Sequence, residues 1–214
     1  MNRTGIVRTA TVAGVTAALG LAAAAPALAA PPVTTAADLN GDGELETVTV
    51  RQTGDDQLIS ATVDGTSTSI RLPLDSQFGL EALRVADLNG DGRAELIVTR
   101  SVGANTTFFS ALHFDGRTLS PVVGPDDQPF SFAEGGGVAA HLGYTCNPFE
   151  RGRAFAVVAS ENDDVSRPTG QFTYSGTRTA YTLRDGALSV QESTPITARP
   201  VNDPLLAVDA AGCA

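Results

Sequence analysis

Two nine-residue stretches hold most of the chemistry in this chain. They are Asp38-Leu39-Asn40-Gly41-Asp42-Gly43-Glu44-Leu45-Glu46 and Asp87-Leu88-Asn89-Gly90-Asp91-Gly92-Arg93-Ala94-Glu95. Both read D-L-N-G-D-G-x-x-E, and the second begins 49 positions after the first (38 to 87). Side-chain oxygens fall at loop positions 1, 3, 5 and 9, with glycine at 4 and 6. That spacing wraps a short backbone around a hard cation. Ca²⁺ takes six to eight oxygen ligands at roughly 2.3–2.6 Å, and glycine at position 6 permits the sharp turn. Position 7 would supply only its backbone carbonyl, so Glu44 and Arg93 can differ there. The expected metal residues are therefore Asp38, Asn40, Asp42, Glu44 and Glu46, then Asp87, Asn89, Asp91, Arg93 and Glu95. The competing reading is a metal-free turn, because Asn-Gly and Asp-Gly favour tight turns by themselves. The identical placement of acids in two copies favours the cation.

An EF-hand would need a bidentate Glu at position 12 and a helix on either side. Position 12 is Thr49 in one copy and Val98 in the other. A dockerin-type loop would also continue into a helix. Here the loops run into Glu46-Thr47-Val48-Thr49-Val50-Arg51 and Glu95-Leu96-Ile97-Val98-Thr99-Arg100, which are β-branched and strand-like. The elements that position the acids are strands.

The repeat extends past the loops. Ile59 to Val63, Asp64-Gly65 and Ser67 to Leu72 make a hairpin pattern in the first copy, and Phe108 to Leu119 around Asp115-Gly116 makes one in the second. A weaker third copy aligns Gly152 to Ala159 with Gly92 to Thr99, and Thr179 to Leu188 with the Asp-Gly hairpin. Its loop has lost the acids: Asn147, Arg151 and Phe155 stand at positions 1, 5 and 9, so Ca²⁺ is not expected there. Cys146 beside that loop suggests that a disulfide fixes it where a metal fixes the others. Repeats of this length with several short strands each predict a propeller, solenoid or array. The expected fold is all-β, a partial or small β-propeller-like array of about three repeats. Each repeat would have three to four antiparallel strands, near 37–84, 86–135 and 146–192, followed by a C-terminal tail. The segments 132–137 and 161–169 read as loops, and the last strand as Leu188 to Glu192.

Residues 1–29 read as a signal peptide: Arg3 and Arg8 precede an apolar stretch, and Ala27-Leu28-Ala29 fits a cleavage site. The remaining residues, 30–214, suit a single domain. No later run reaches the ~18 apolar residues of a membrane span. Net charge is −10, or −12 without the two leader arginines, which argues against nucleic acid. All fourteen basic residues are arginine. Cys146 and Cys213 are the two cysteines of a chain expected to be exported, and a disulfide between them is the default.

These residues resemble FG-GAP and VCBS repeat proteins, whose units carry a D-x-[DN]-x-D-G-x-x-[DE] loop followed by a hydrophobic strand. Asp38 to Val50 and Asp87 to Val98 fit that motif, and Asp64-Gly65 and Asp115-Gly116 fit the later hairpin. With its leader and alanine-rich composition, the chain looks like the small secreted actinobacterial members, with integrin-α-like calcium loops. The resemblance implies calcium ligands at Asp38, Asn40, Asp42 and Glu46, and at Asp87, Asn89, Asp91 and Glu95. A closed seven-bladed ring would need far more chain. That leaves a partial propeller, a smaller closed form, or assembly of several chains.

Nothing in the sequence argues for catalysis. Nucleophile-elbow, zinc-protease, Walker and dinucleotide motifs are all missing. His113 reads as a solvent-facing strand residue, and His141 lies near a glycine-rich stretch. Gly135-Gly136-Gly137 reads as a flexible turn in preference to an anion cradle, and Asn105-Thr106-Thr107 is a glycosylation sequon. The expectation is a secreted, non-enzymatic binding or adhesion module for an extracellular glycan or protein at the cell envelope. Tyr144, Phe149 and Tyr174 would lie in its exposed patch. The alternatives are a secreted glycan or ester hydrolase, or a structural accessory protein without a ligand.

Overall fold

The computed structural model describes residues 30–75, 79–149 and 152–214; the leader expected at 1–29 lies outside them. Every long element is a strand, and among the described residues the only helical pieces are three short 3₁₀ turns. The first sheet is an antiparallel meander of β1 (Val33–Ala37), β2 (Glu46–Thr53), β3 (Asp56–Val63) and β4 (Thr66–Pro73). Loop 1, residues 38–45, joins β1 to β2. The two-residue turn Asp64-Gly65 joins β3 to β4, with positive φ at both positions. A β-hairpin needs that geometry, and Asp-Gly supplies it.

The remaining strands do not form two further small sheets. β5 (Arg84–Ala86), β6 (Glu95–Val102), β7 (Thr106–Phe114), β9 (Ser131–Gly135), β10 (Ala140–Phe149), β11 (Gly152–Asn162), β12 (Thr173–Arg184) and β13 (Ala187–Pro200) run continuously, all antiparallel. β8 (Leu119–Pro121) pairs with the end of β7 beside β9, so two short strands share one edge. The single register pair Gly135–Leu142 joins β9 to β10 and merges what the sequence presents as separate repeats. The described residues form no closed propeller.

Both faces of the central strands are buried, and period-2 alternation divides them. Leu96, Val98, Leu112 and Phe114 pack against Val48, Val50, Ile59 and Val63 of the first sheet. Ile97, Phe109 and Ala111 point the other way, toward Phe132, Tyr144 and Phe155. A third cluster joins Val158, Phe172, Tyr174, Ile196 and Leu206. The layers therefore stack face to face. The long sheet also curls. Arg84 on edge strand β5 bonds Glu134 on β9 and the Tyr144 hydroxyl on β10 at 3.1 Å, and lies over the Phe109 ring at 4.5 Å. A flat sheet with strands about 4.8 Å apart would hold β5 and β10 roughly 19 Å apart.

Several expectations change here. Residues 131–135 form strand β9, because pairing with β7 outweighs a glycine-rich composition. The glycines after it fold around Asn105: Gly136 N–H donates to the Asn105 carbonyl at 2.6 Å, and Gly137 packs on its side chain. This is close packing, neither an anion cradle nor a loose turn. The last strand runs on to Pro200, through Pro195, since an edge strand tolerates a missing N–H. The expected aromatic patch is not exposed at the tyrosines. Tyr144 is buried among Phe109, Phe132 and Phe155, and Tyr174 is buried against His141. The Phe149 side chain lies outside what the structure describes.

Candidate functional site: two acidic loops

Each loop is folded by its own side chains, and the two networks share six hydrogen bonds, to which loop 2 adds one from Asp91 N to Asp87. In loop 1 the Asp38 carboxylate accepts from Gly41 N at 2.7 Å and Gly43 N at 2.8 Å. Asn40 Oδ1 accepts from Asp42 N at 3.1 Å, and Asp42 Oδ1 from Glu44 N at 2.8 Å. Asn40 Nδ2 donates to Asp42 Oδ2, and Leu39 N closes the loop onto Glu46 Oε2 at 2.8 Å. In loop 2, residues 87–94, Asp87 accepts from Gly90 N and Gly92 N, Asn89 from Asp91 N, and Asp91 from Arg93 N. Asn89 again donates to Asp91, and Leu88 N to Glu95 Oε2 at 2.9 Å. The glycines at positions 4 and 6 all have φ between 76° and 88°, a region that L side chains resist.

Every residue expected at the metal sites thus sits in one of these two turns or, for Glu46 and Glu95, in the first strand position that closes it. Glu44 and Arg93 take part through their backbone, as their differing side chains require. The carboxylates turn onto loop N–H groups instead of converging on a point. Among the described residues, no three His, Cys, Asp or Glu side chains gather into a preformed metal cage. The donor set nevertheless fits a hard cation: three carboxylates and an amide oxygen line each turn. Among the described residues none of the six carboxylates is ion-paired.

The position-9 acids differ. Glu46 is half-buried at the start of β2, whereas Glu95 is buried beneath loop 2. Burial pushes the Glu95 carboxyl up to about 8, and the Asp91 and Asp87 carboxylates push the same way against the Leu88 N–H. In loop 1, the Glu44 N–H and the Asn40 amide hold Asp42 below the usual carboxylate range.

The loops also have different neighbours. Loop 1 leans on the second repeat: Ala94 N donates to the Asp38 carbonyl at 2.7 Å, and Gly41 packs on the Arg93 side chain. Asn40 Nδ2 also reaches Asp64 in the β3–β4 turn at 3.1 Å. Loop 2 leans on β11 and the C-terminus. Arg153 N donates to the Asn89 carbonyl at 2.8 Å, Asp87 N donates to the Cys213 carbonyl at 2.8 Å, and Gly152 lies against the Asn89 carbonyl, where no side chain would fit.

A cavity of about 320 Å³ opens beside loop 2, lined by Asn89, Asp91, Arg93, His113, Asp115 and Asp185, with Leu39, Phe114 and Leu183 among its apolar walls. His113 belongs to this cavity and does not face open solvent, because its ring lies directly on Gly186 of the β12–β13 turn. Burial holds its pKa below the ordinary 6.5, against the pull of Asp115 and Asp185. Alternation along β7 gave the direction of the side chain but not the distant turn that covers it. His141 is structural, its Nε2 bonded to the Leu206 carbonyl at 2.7 Å.

In the third repeat the described residues form no such loop, and Arg151 lies outside them. Asn147 lies in β10 opposite Ala154, and the β10–β11 ladder runs unbroken to Phe149 opposite Gly152. Among the described residues, paired strand stands where the acidic loop is expected. Cys146 on β10 is bonded to Cys213 in the last 3₁₀ turn, Ala210–Cys213. Arg153, which the sequence aligns with Arg93 but does not mark as functional, is the main side chain that this reading missed.

A family profile for the FG-GAP-like repeat matches residues 38–98. Searches of curated proteins and of solved structures return no match. The profile takes in both acidic loops, β2 and the first half of β6, and over that span the chain is similar to an FG-GAP-like repeat.

Proposed function

We propose that this chain is an exported, non-catalytic β-repeat binding module whose two acidic loops each take up one Ca²⁺ as a structural ion. The observation that carries the reading is the duplicated loop network. Two turns separated in sequence hold the same acids, amide and glycines in the same hydrogen bonds, and among the described residues the acids have no cationic partner. Asp38, Asn40, Asp42 and Glu46 would hold one ion, with the Glu44 carbonyl; Asp87, Asn89, Asp91 and Glu95 would hold the other, with the Arg93 carbonyl. Bound calcium supplies charge neutralisation, and its binding free energy becomes folding free energy. Affinities of about 10⁻⁴–10⁻³ M suit extracellular modules. The Cys146–Cys213 bond and the leader-like residues 1–29 support an oxidising, extracytoplasmic location.

Titration calorimetry tests the reading: two equivalents of calcium should bind, and Asp38→Ala/Asp87→Ala should bind none. Unchanged heats in that variant would refute the assignment. For the partner we favour an extracellular glycan or protein bound at the loop rim, where the His113 cavity brings polar groups together. A glycan array and a pull-down, each with and without calcium, should show binding that His113→Ala weakens. Binding indifferent to that change would move the site elsewhere.

A further inference from the structure

The two loops are not held equally, and the difference lies in what stands behind them. Loop 1 rests on residues of the second repeat and on Asp64. Loop 2 rests on the disulfide-bonded C-terminus through the Arg153 guanidinium and the Asp87 N–H. Arg153 Nη1 donates to the Asp87 carbonyl at 3.1 Å, the Cys213 carbonyl at 3.2 Å and the Ala214 carbonyl at 3.3 Å. Its backbone N–H holds the Asn89 carbonyl, and Asp87 N–H holds the Cys213 carbonyl. Positions 1 and 3 of loop 2 are thus tied to residues 153 and 213. Residue 213 keeps its place through the bond to Cys146, whose strand pairs with that of Arg153. Apart from the disulfide and these bonds to Asp87 and Arg153, the last turn is held by local bonds such as Ala211 N to Asp209 and by a bridge between Asp209 and Thr145.

We infer that Arg153 and the Cys146–Cys213 turn position loop 2 for its cation, so that cation binding at loop 2 depends on the disulfide and binding at loop 1 does not. The inference rests on the calcium reading for its ligand, but its structural half stands without metal. Breaking the disulfide frees the Cys213 carbonyl, removes the partner of Asp87 N–H, and leaves the guanidinium one anchor on the loop. A partner that orients a ligand residue typically accounts for about 10–100-fold in metal affinity.

The test uses calorimetry with calcium on proteins with one loop disabled. Asp42→Ala leaves loop 2 to report, and Asp91→Ala leaves loop 1. Adding Cys146→Ser/Cys213→Ser should lower affinity at least about tenfold in the first background and less than about twofold in the second. Arg153→Ala, with the disulfide intact, guards against global unfolding and should show the same selectivity, with Arg153→Lys recovering part of the loss. Removing a positive charge would by itself favour a cation, so a fall in affinity reports positioning and a rise would overturn the inference. In EDTA, backbone ¹⁵N relaxation should show residues 87–93 gaining motion in Arg153→Ala while 38–44 do not. Equal responses of the two loops, or none, would overturn it. Absence of calcium binding to the parent protein would instead sink the calcium reading, and the relaxation data would still decide the positioning.

Discussion

The first and third repeats make the same connection in opposite ways. Between β1 and β2 the chain takes an eight-residue excursion packed with acids, and its shape comes from side chains that bond their own backbone. β10 and β11 instead pair up to Phe149 opposite Gly152, and the Cys146–Cys213 bond together with Arg153 secures the neighbourhood. The acidic loop leaves negative charge that a cation can discharge; residues 140–149 and 152–160 of the paired strands carry no acid. Loop 2 stands between them, an acidic loop braced from behind by the fastenings of those strands. Stability of the first repeat should therefore follow calcium, and that of the third should follow redox state.

Breaking the disulfide should have the largest effect. Cysteines 67 positions apart contribute about 4 kcal/mol in the chain-entropy model. Urea unfolding of Cys146→Ser/Cys213→Ser in EDTA should lose most of that, with the loss unchanged in calcium-saturated Asp91→Ala, where only loop 1 responds. A loss that loop 1 calcium repaired would blur the division between repeats.

Next come the loop glycines. A Cβ at Gly43 would meet nothing within 4 Å, whereas one at Gly90 would lie 3.1 Å from both Arg153 N and Gly152 Cα. Both substitutions force an L residue into positive φ, at about 1 kcal/mol, and Gly90→Ala adds crowding of roughly the same size. Denaturation in EDTA should rank Gly90→Ala below Gly43→Ala. Equal costs would mean that loop 2 is not braced by β11.

The smallest effect is that of His113. Its folded pKa lies below the unfolded value near 6.5, so the unfolded chain binds the proton first. The contribution is fully present above about pH 6.5 and is lost as pH falls through the folded value. The melting temperature of wild type should drop relative to His113→Gln between pH 7 and pH 5. Parallel curves would mean the ring titrates freely.

The sequence made the loops legible because the rule is local: acid, amide and glycine at fixed spacing produce the same turn wherever they occur. The Asp64-Gly65 and Asp185-Gly186 hairpins were legible for the same reason. What was hidden depended on distant partners. Glycine content suggested a loop at 132–137, but β7 recruits β9 there. Tyr144 and Tyr174 are expected in an exposed patch, yet the curl of the long sheet and the turn at Leu206 cover them. Arg153 looked like one more arginine, because its three carbonyl partners come from residues 87, 213 and 214.

The central claim is that calcium completes the two acidic loops. Thermal unfolding in EDTA and then across a calcium titration tests it directly, with Asp42→Ala, Asp91→Ala and the pair alongside. The account predicts a calcium-dependent rise in Tm that each single variant reduces and the pair abolishes. A rise that survives in the pair, or no rise in the parent protein, would contradict it and leave the loops as turns held by their own amides.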